Sequence, residues 1–153
     1  MKSEVLITKK FKNEFKGKII TNEALLLNEK TDELFEVIAL WDSGATFSSI
    51  SKELVEKLQL SPKGIYQTHS ANDSKISNGY DIFLILNKDT NYIFPITVTI
   101  ADNIHNMGID MLIGMDVITQ GDFAISTYNG ETCFSFRVPS KGLIDFKEQE
   151  QEN

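Results

Sequence analysis

Cysteine is nearly missing from this sequence of 153 residues: Cys133 is the only one, so no disulfide can form within a chain. A small secreted fold held by bridges is thereby excluded, and a reducing cytoplasm is the expected setting. Long apolar runs are absent too. The longest, such as Ile82 to Leu86, fall far short of a membrane span, and the start Met1-Lys-Ser-Glu-Val-Leu has no signal-peptide core. Positive charge is in deficit. Fifteen Lys and Arg face twenty-two Asp and Glu, a formal net charge of −7, which argues against nucleic acid or an anionic membrane as partner. Only two histidines occur, His69 and His105, far apart and without a cysteine or acidic cluster at metal-ligand spacing, so no metal is expected.

What is present is a chain of ordinary globular composition, 41% hydrophobic and 24% charged, long enough for one domain with a real core. Its ends read as less structured than its middle. Residues 1–16 are polar and lysine-bearing, and Lys147-Glu-Gln-Glu-Gln-Glu-Asn153 offers nothing to bury, so 141–153 is expected to be a solvated tail.

Between the ends, short strands dominate. Leu34 to Trp41 is an apolar run with a single Glu, suited to a buried strand. Ile96, Val98 and Ile100 alternate with Thr97 and Thr99, and Pro95 before them marks a strand start or an edge. Asn129-Gly130 between two apolar stretches predicts a hairpin. Two segments read as short helices. Ser51 caps the first, with Leu54 and Leu58 on one face, Glu53 four residues before Lys57, and Ser61-Pro62 as the stop. Asp116 caps the second, which runs to Gln120 and stops at Gly121. The expected class is all-β, a closed or folded-over barrel with two short helices, because no βαβ rhythm is present.

The chemistry concentrates in Leu40-Trp41-Asp42-Ser43-Gly44-Ala45-Thr46. A carboxylate follows a buried strand, then a hydroxyl, then a glycine that lets the chain turn and bring backbone N–H groups close. Acid proteolysis needs such a carboxylate on a rigid loop, with a second beside it to hold a shared proton. Asp-Ser/Thr-Gly alone is weak evidence, since it arises by chance in roughly one in twenty chains of this length. A strand-ending turn uses the same residues.

The flanking sequence is more specific. The block just quoted, then Met111-Leu112-Ile113-Gly114-Met115-Asp116-Val117-Ile118, then Gly121-Asp122-Phe123-Ala124-Ile125 and Phe134-Ser135-Phe136-Arg137-Val138-Pro139-Ser140 resemble, in order and spacing, the retropepsins. These are the retroviral-type aspartic proteases, and the likeness is greatest to their bacterial and mobile-element branch. It covers roughly residues 17–140. It implies a retropepsin-like barrel with one active-site loop per subunit and no cofactor. Asp42 matches the catalytic Asp. Ser43, in place of the commoner Thr, would help lock two loops across a dimer, Gly44 would present its N–H to the carboxylate, and Ala45 and Thr46 complete the loop. Ile113 and Gly114 would thread a second, structural loop cradling the first. The stretch 68–79 sits where the family has its flap, with Ser70, Ala71, Asn72 and Asp73 at its tip, although the glycine-rich tip of many retroviral members is lacking. Residues 1–16 do not fit a compact retroviral terminus.

One Asp-Ser/Thr-Gly per chain leaves one carboxylate short, because Asp110, Asp116 and Asp122 lack the hydroxyl-glycine continuation. A homodimer with Asp42 from each copy on the two-fold axis supplies the second. The expected activity is that of an aspartic endopeptidase acting on peptides or proteins. The alternative is a retropepsin fold kept for peptide binding or dimerisation with little catalysis. Other readings are weaker. Ser43 lacks a Gly-x-Ser-x-Gly elbow, Cys133 has no basic residue closer than Arg137, and the three other aspartates miss EF-hand spacing. Trp41 reads as core.

Overall fold

The computed structural model describes residues 4–12, 19–69 and 73–151. Their strands are β1 (Val5–Lys12), β2 (Thr21–Asn28), β3 (Glu33–Trp41), β4 (Ser49–Ile50), β5 (Gly64–His69), β6 (Ser74–Ile85), β7 (Phe94–Ile100), β8 (Met111–Ile113), β9 (Asp122–Tyr128) and β10 (Glu131–Val138). Three short helices accompany them, α1 (Lys52–Lys57), α2 (Met115–Ile118) and α3 (Phe146–Gln151), with a 3-10 turn at His105–Met107.

Six strands close a barrel in the order β2-β3-β8-β4-β7-β6, and β6 returns to β2 through Leu25–Leu27 against Phe83–Ile85. Its interior is apolar by alternation: Leu26, Ala39, Ile50, Leu84, Phe94, Val98, Met111 and Ile113 are fully buried. β5 continues from β6 as a hairpin arm outside the closed part. Pro95 sits within β7 opposite Phe83, where its missing N–H costs no ladder bond, since β4 pairs only with Thr99 and Ile100 on that side.

The remaining strands form a second sheet in the order β1-β10-β9. Asn129 and Gly130, at φ 48° and 75°, make the expected two-residue hairpin turn between β9 and β10. Fully buried Phe134 and Phe136 on β10 pack on Trp41, with ring centroids 5.2 and 4.8 Å away, and Phe123 on β9 stands 5.9 Å from the same ring. The second sheet therefore caps the end of β3.

Several local expectations need correction. Residues 5–12, read as part of a polar end, form a strand along all of β10, from Val5 opposite Val138 to Lys12 opposite Glu131. Val5, Ile7 and Phe11 keep a period of two, which Lys9 interrupts by running along the apolar face and donating to the Thr21 carbonyl. Residues 141–151 are exposed and include α3, started by Asp145, whose carboxylate accepts from the Lys147 N–H at 2.8 Å. Among the described residues there are thus three helices, not two. In α1 Ser51 does cap, accepting from the Leu54 N–H at 3.2 Å, and Leu54 and Leu58 are buried. The ion pair, however, is Lys52–Glu56 at 3.8 Å, and the helix stops before Ser61 because Gln59 turns to φ 50°.

Candidate active site

Parallel pairing of β3 with β8 puts Ala39 beside Met111, Leu40 beside Leu112 and Trp41 beside Ile113. The next residue of each strand, Asp42 and Gly114, therefore leaves the barrel at the same level. The Asp42 N–H donates to the Ile113 carbonyl at 2.9 Å, which extends the ladder by one residue and fixes the direction in which the carboxylate departs. Trp41 before it is core: its indole N–H donates to the buried Asn22 side-chain oxygen at 2.6 Å.

The loop then folds onto its own carboxylate. Gly44 donates its N–H to Asp42 Oδ1 at 2.9 Å, and Ala45 donates to the Asp42 carbonyl at 3.2 Å. Ser43, Gly44 and Thr46 are exposed, and Asp42 and Ala45 are half-buried. The carboxylate is held from one side and open on the other.

The second loop grips the first. Met115 donates to the Ala45 carbonyl at 2.8 Å and Asp116 to the Thr46 carbonyl at 3.2 Å. Ser48, fully buried, receives the Gly114 N–H at 3.0 Å and donates its hydroxyl to Asp116 Oδ1 at 2.7 Å, while its own N–H reaches both Asp116 oxygens at 3.0 Å. Asp116 is therefore not the cap of α2. Gly114 holds that position, and the carboxylate is drawn from the first turn across to Ser48. A methyl on Gly114 would come within 2.7–2.8 Å of backbone atoms of Ala45 and Phe47, so only glycine lets the two loops lie this close.

A cleft of about 430 Å³ opens beside the loop, with Ala45, Thr46 and Phe47 on one wall and Gln67, His69 and Lys75 of the β5–β6 hairpin on the other. Ile100 and Leu112 also line it. Phe47, 53% exposed, separates this cleft from a second of about 380 Å³ reaching Tyr66, Pro95 and Gln120. Lys75 is ion-paired with Asp102 at the rim. Of the four expected flap-tip residues, Ser70, Ala71 and Asn72 lie outside the described residues. Asp73 lines the cleft and accepts from the Ser74 N–H at 2.7 Å.

Sequence reasoning did not reach Phe47, the Ser48–Asp116 clasp or Gln67, whereas His69 and Lys75 fall within the stretch 68–79 expected to be the flap. A large apolar residue among small loop residues is the one signal that marks Phe47. Further out, Asp122 at the start of β9 ties down the chain after β10. Its carboxyl is pulled to about 2 by the Lys141 N–H, the Ser140 hydroxyl and the Arg137 guanidinium. Asp110 accepts from the Ile38 N–H at 2.9 Å, a structural use like that of Asp116. His69 stands on β5 and His105 in the 3-10 turn. Among the described residues no three His, Cys, Asp or Glu side chains gather as a metal site would need. None of the described helices is long and apolar enough to cross a membrane.

No protein-family model matches the sequence, and no curated protein does. Solved structures do. A retropepsin-like aspartic protease from Rickettsia conorii superposes with a TM-score of 0.51 at 13% identity, over 88% of this chain and 95% of that one. The retroviral protease-like domain of Ddi1 from Leishmania major aligns over 84% of this chain and all of its own length, at 15% identity and a TM-score of 0.45. The closed barrel, the paired loop-bearing strands and the likeness to the Rickettsia enzyme agree: this chain has a retropepsin-like fold.

Proposed function

We propose that the protein is an aspartic endopeptidase that works as a homodimer, with Asp42 of each copy forming the catalytic pair. The observation that carries this reading is the setting of Asp42. A carboxylate stands at the open end of a buried strand, its Oδ1 held by the Gly44 N–H, in a loop locked by Gly114, Ser48 and Asp116, beside a cleft under a β-hairpin.

Two carboxylates about 3 Å apart cannot both ionise, so the pair shares one proton. The ionised member takes a proton from a water held between them, and that water attacks the peptide carbonyl. The protonated member gives its proton to the carbonyl oxygen, and the resulting tetrahedral diol collapses as the leaving nitrogen is protonated. Ser43 would brace the two loops across the axis. Ser70, Ala71, Asn72 and Asp73 would cover the substrate as a flap and exclude water. The lone thiol Cys133, half-buried in β10, suits a reducing cytoplasm.

The test is cleavage of a diverse peptide mixture read by mass spectrometry from about pH 4 to 7, a range chosen for a coupled pair of carboxylates. Wild type should give cuts with a bell-shaped or acidic profile, and Asp42→Asn should give none. Equal cutting by both proteins would refute Asp42 as the catalytic group. A confirmed dimer that cuts nothing at any pH would favour a peptide-binding or dimerisation module.

A further inference from the structure

One row of side chains runs across four strands on the outer face of the barrel. Leu40 on β3 stands beside Leu112 on β8, Leu112 is opposite Ser49 on β4, and Ser49 is beside Thr99 on β7. Their chain neighbours Ala39, Ile50, Val98, Met111 and Ile113 are fully buried in the core, so alternation turns this row the other way. Leu112, Ser49 and Thr99 all line the cleft beside the Asp42 loop. Two hydroxyls therefore sit in a floor whose neighbours Leu112, Ala45 and Phe47 are apolar.

These hydroxyls are covered and unused. Ser49 is 7% exposed and Thr99 6%. Neither side-chain oxygen has a hydrogen-bond partner among the described residues, yet no fully enclosed side-chain oxygen there is left unpaired, so both open onto the space they line. Thr99 also borders the second cleft, on the far side of Phe47. A hydroxyl so placed is costly until water or a ligand satisfies it. The opposite wall is already engaged. Gln67 donates its amide N–H to the Ser74 hydroxyl at 2.7 Å, Thr68 donates its hydroxyl to the Lys75 carbonyl at 3.2 Å, and the Lys75 ammonium pairs with Asp102. A charged side chain reaching the floor would meet hydroxyls and methyl groups, a poor exchange for water.

We propose that Ser49 and Thr99 form the specificity-determining floor of this cleft, and that it takes a carboxamide, the side chain of an asparagine or glutamine close to the bond that is cut. A carboxamide carries donors and an acceptor, and each hydroxyl can donate or accept, so one uncharged side chain satisfies both. The cleft begins at Ala45, three residues after Asp42, which keeps the recognised residue near the reacting bond. An aliphatic side chain of the same size displaces the water and leaves both hydroxyls without a partner, and that asymmetry rejects it. The inference rests on the endopeptidase reading above and names the kind of sequence such an enzyme selects.

The test compares the unmodified chain with one carrying both Ser49→Ala and Thr99→Val, on a diverse peptide mixture read by mass spectrometry. Cuts by the unmodified chain should share asparagine or glutamine at one fixed distance from the cut bond. In the double variant that preference should give way to aliphatic residues, the ratio of the two shifting about tenfold, the worth of one net hydrogen bond. Because neither hydroxyl bonds within the fold, the urea midpoint should not fall. A clearly lower midpoint would show the hydroxyls serving the fold and overturn the proposal. The same mixture is passed over immobilised Asp42→Asn chains with and without the two substitutions, which reads binding in the absence of cutting. Cuts without a carboxamide preference, or with one that the double variant keeps, would overturn the floor and leave the Asp42 chemistry standing. A chain that cuts nothing, yet retains carboxamide peptides only while the two hydroxyls are present, would support the floor and sink the endopeptidase reading. A chain that neither cuts nor retains peptides would overturn both.

Discussion

Gly114→Ala probes how tightly the two loops are bound. The glycine has φ −94° and ψ −171°, extended backbone that alanine adopts freely, so any cost is steric. The added methyl would stand 2.7 Å from the Phe47 carbonyl carbon and 2.8 Å from the Ala45 and Phe47 carbonyl oxygens. All three are backbone atoms of the loop that bears Asp42, and no side chain can swing aside. Relief requires the loops to part, which stretches the Met115–Ala45 and Gly114–Ser48 hydrogen bonds. Overpacking costs about 1–3 kcal/mol, and each weakened hydrogen bond adds about 0.5–1.5 kcal/mol. The stiffer unfolded chain returns about 0.4–1 kcal/mol. The expected net loss is about 3 kcal/mol, or roughly 6–12 °C in midpoint for a chain this long. The single tryptophan, Trp41, adjoins the loop, so its fluorescence in a urea titration reads the change directly. Cleavage should fall by more than the unfolded fraction explains, because Asp42 moves with the loop. A variant with stability within about 0.5 kcal/mol of wild type and full cleavage would refute the clasp.

Gly44→Ala meets only Asp42 Oδ1, at 3.2 Å, so it should leave the urea midpoint almost unchanged while cleavage drops about tenfold or more through a displaced carboxylate. Ser48→Ala strips the buried Gly114 N–H of its acceptor and should cost about 2–3 kcal/mol in the same titration. Asp122 has its carboxyl lowered from 3.8 to about 2. A lowered folded-state value contributes stability that is present above the unfolded value and lost as pH falls through the folded one. Wild type should therefore lose stability between about pH 4 and 2, and Asp122→Asn should flatten that slope. Ser51→Ala removes the α1 cap and should lower stability by about 1 kcal/mol without affecting cleavage.

The parts legible in the sequence are those written in local pattern. The apolar run into Trp41 announces β3, Asn129-Gly130 announces the β9–β10 turn, and Ser51 announces α1, because each depends on neighbours within a few residues. β1 is hidden because its lysines disguise the alternation and its partner lies at the other end of the chain. The Ser48–Asp116 clasp is hidden for a stronger reason. It joins residues 68 positions apart, and neither residue type marks the other. Asp116 looked like a cap because an Asp before an apolar pair usually is one, and only the parallel β3–β8 register shows that Gly114 starts the turn. Asp42 stood out because an acid, a hydroxyl and a glycine follow a strand with no charge after Glu36.

The pairing of Val5 with Val138 has a consequence for how the molecule is made. Residues 6–137 lie between them, so β1 can dock only after β10 has been made, and closing so long a loop makes docking a late event in folding. Phe134 and Phe136, the rings that seat Trp41, come from the same late strand. A nascent chain thus has Asp42 early but lacks the aromatic bed beneath it until residue 138 has left the ribosome. Whatever role that carboxylate has, its setting is completed, by topology alone, only once β10 has been made.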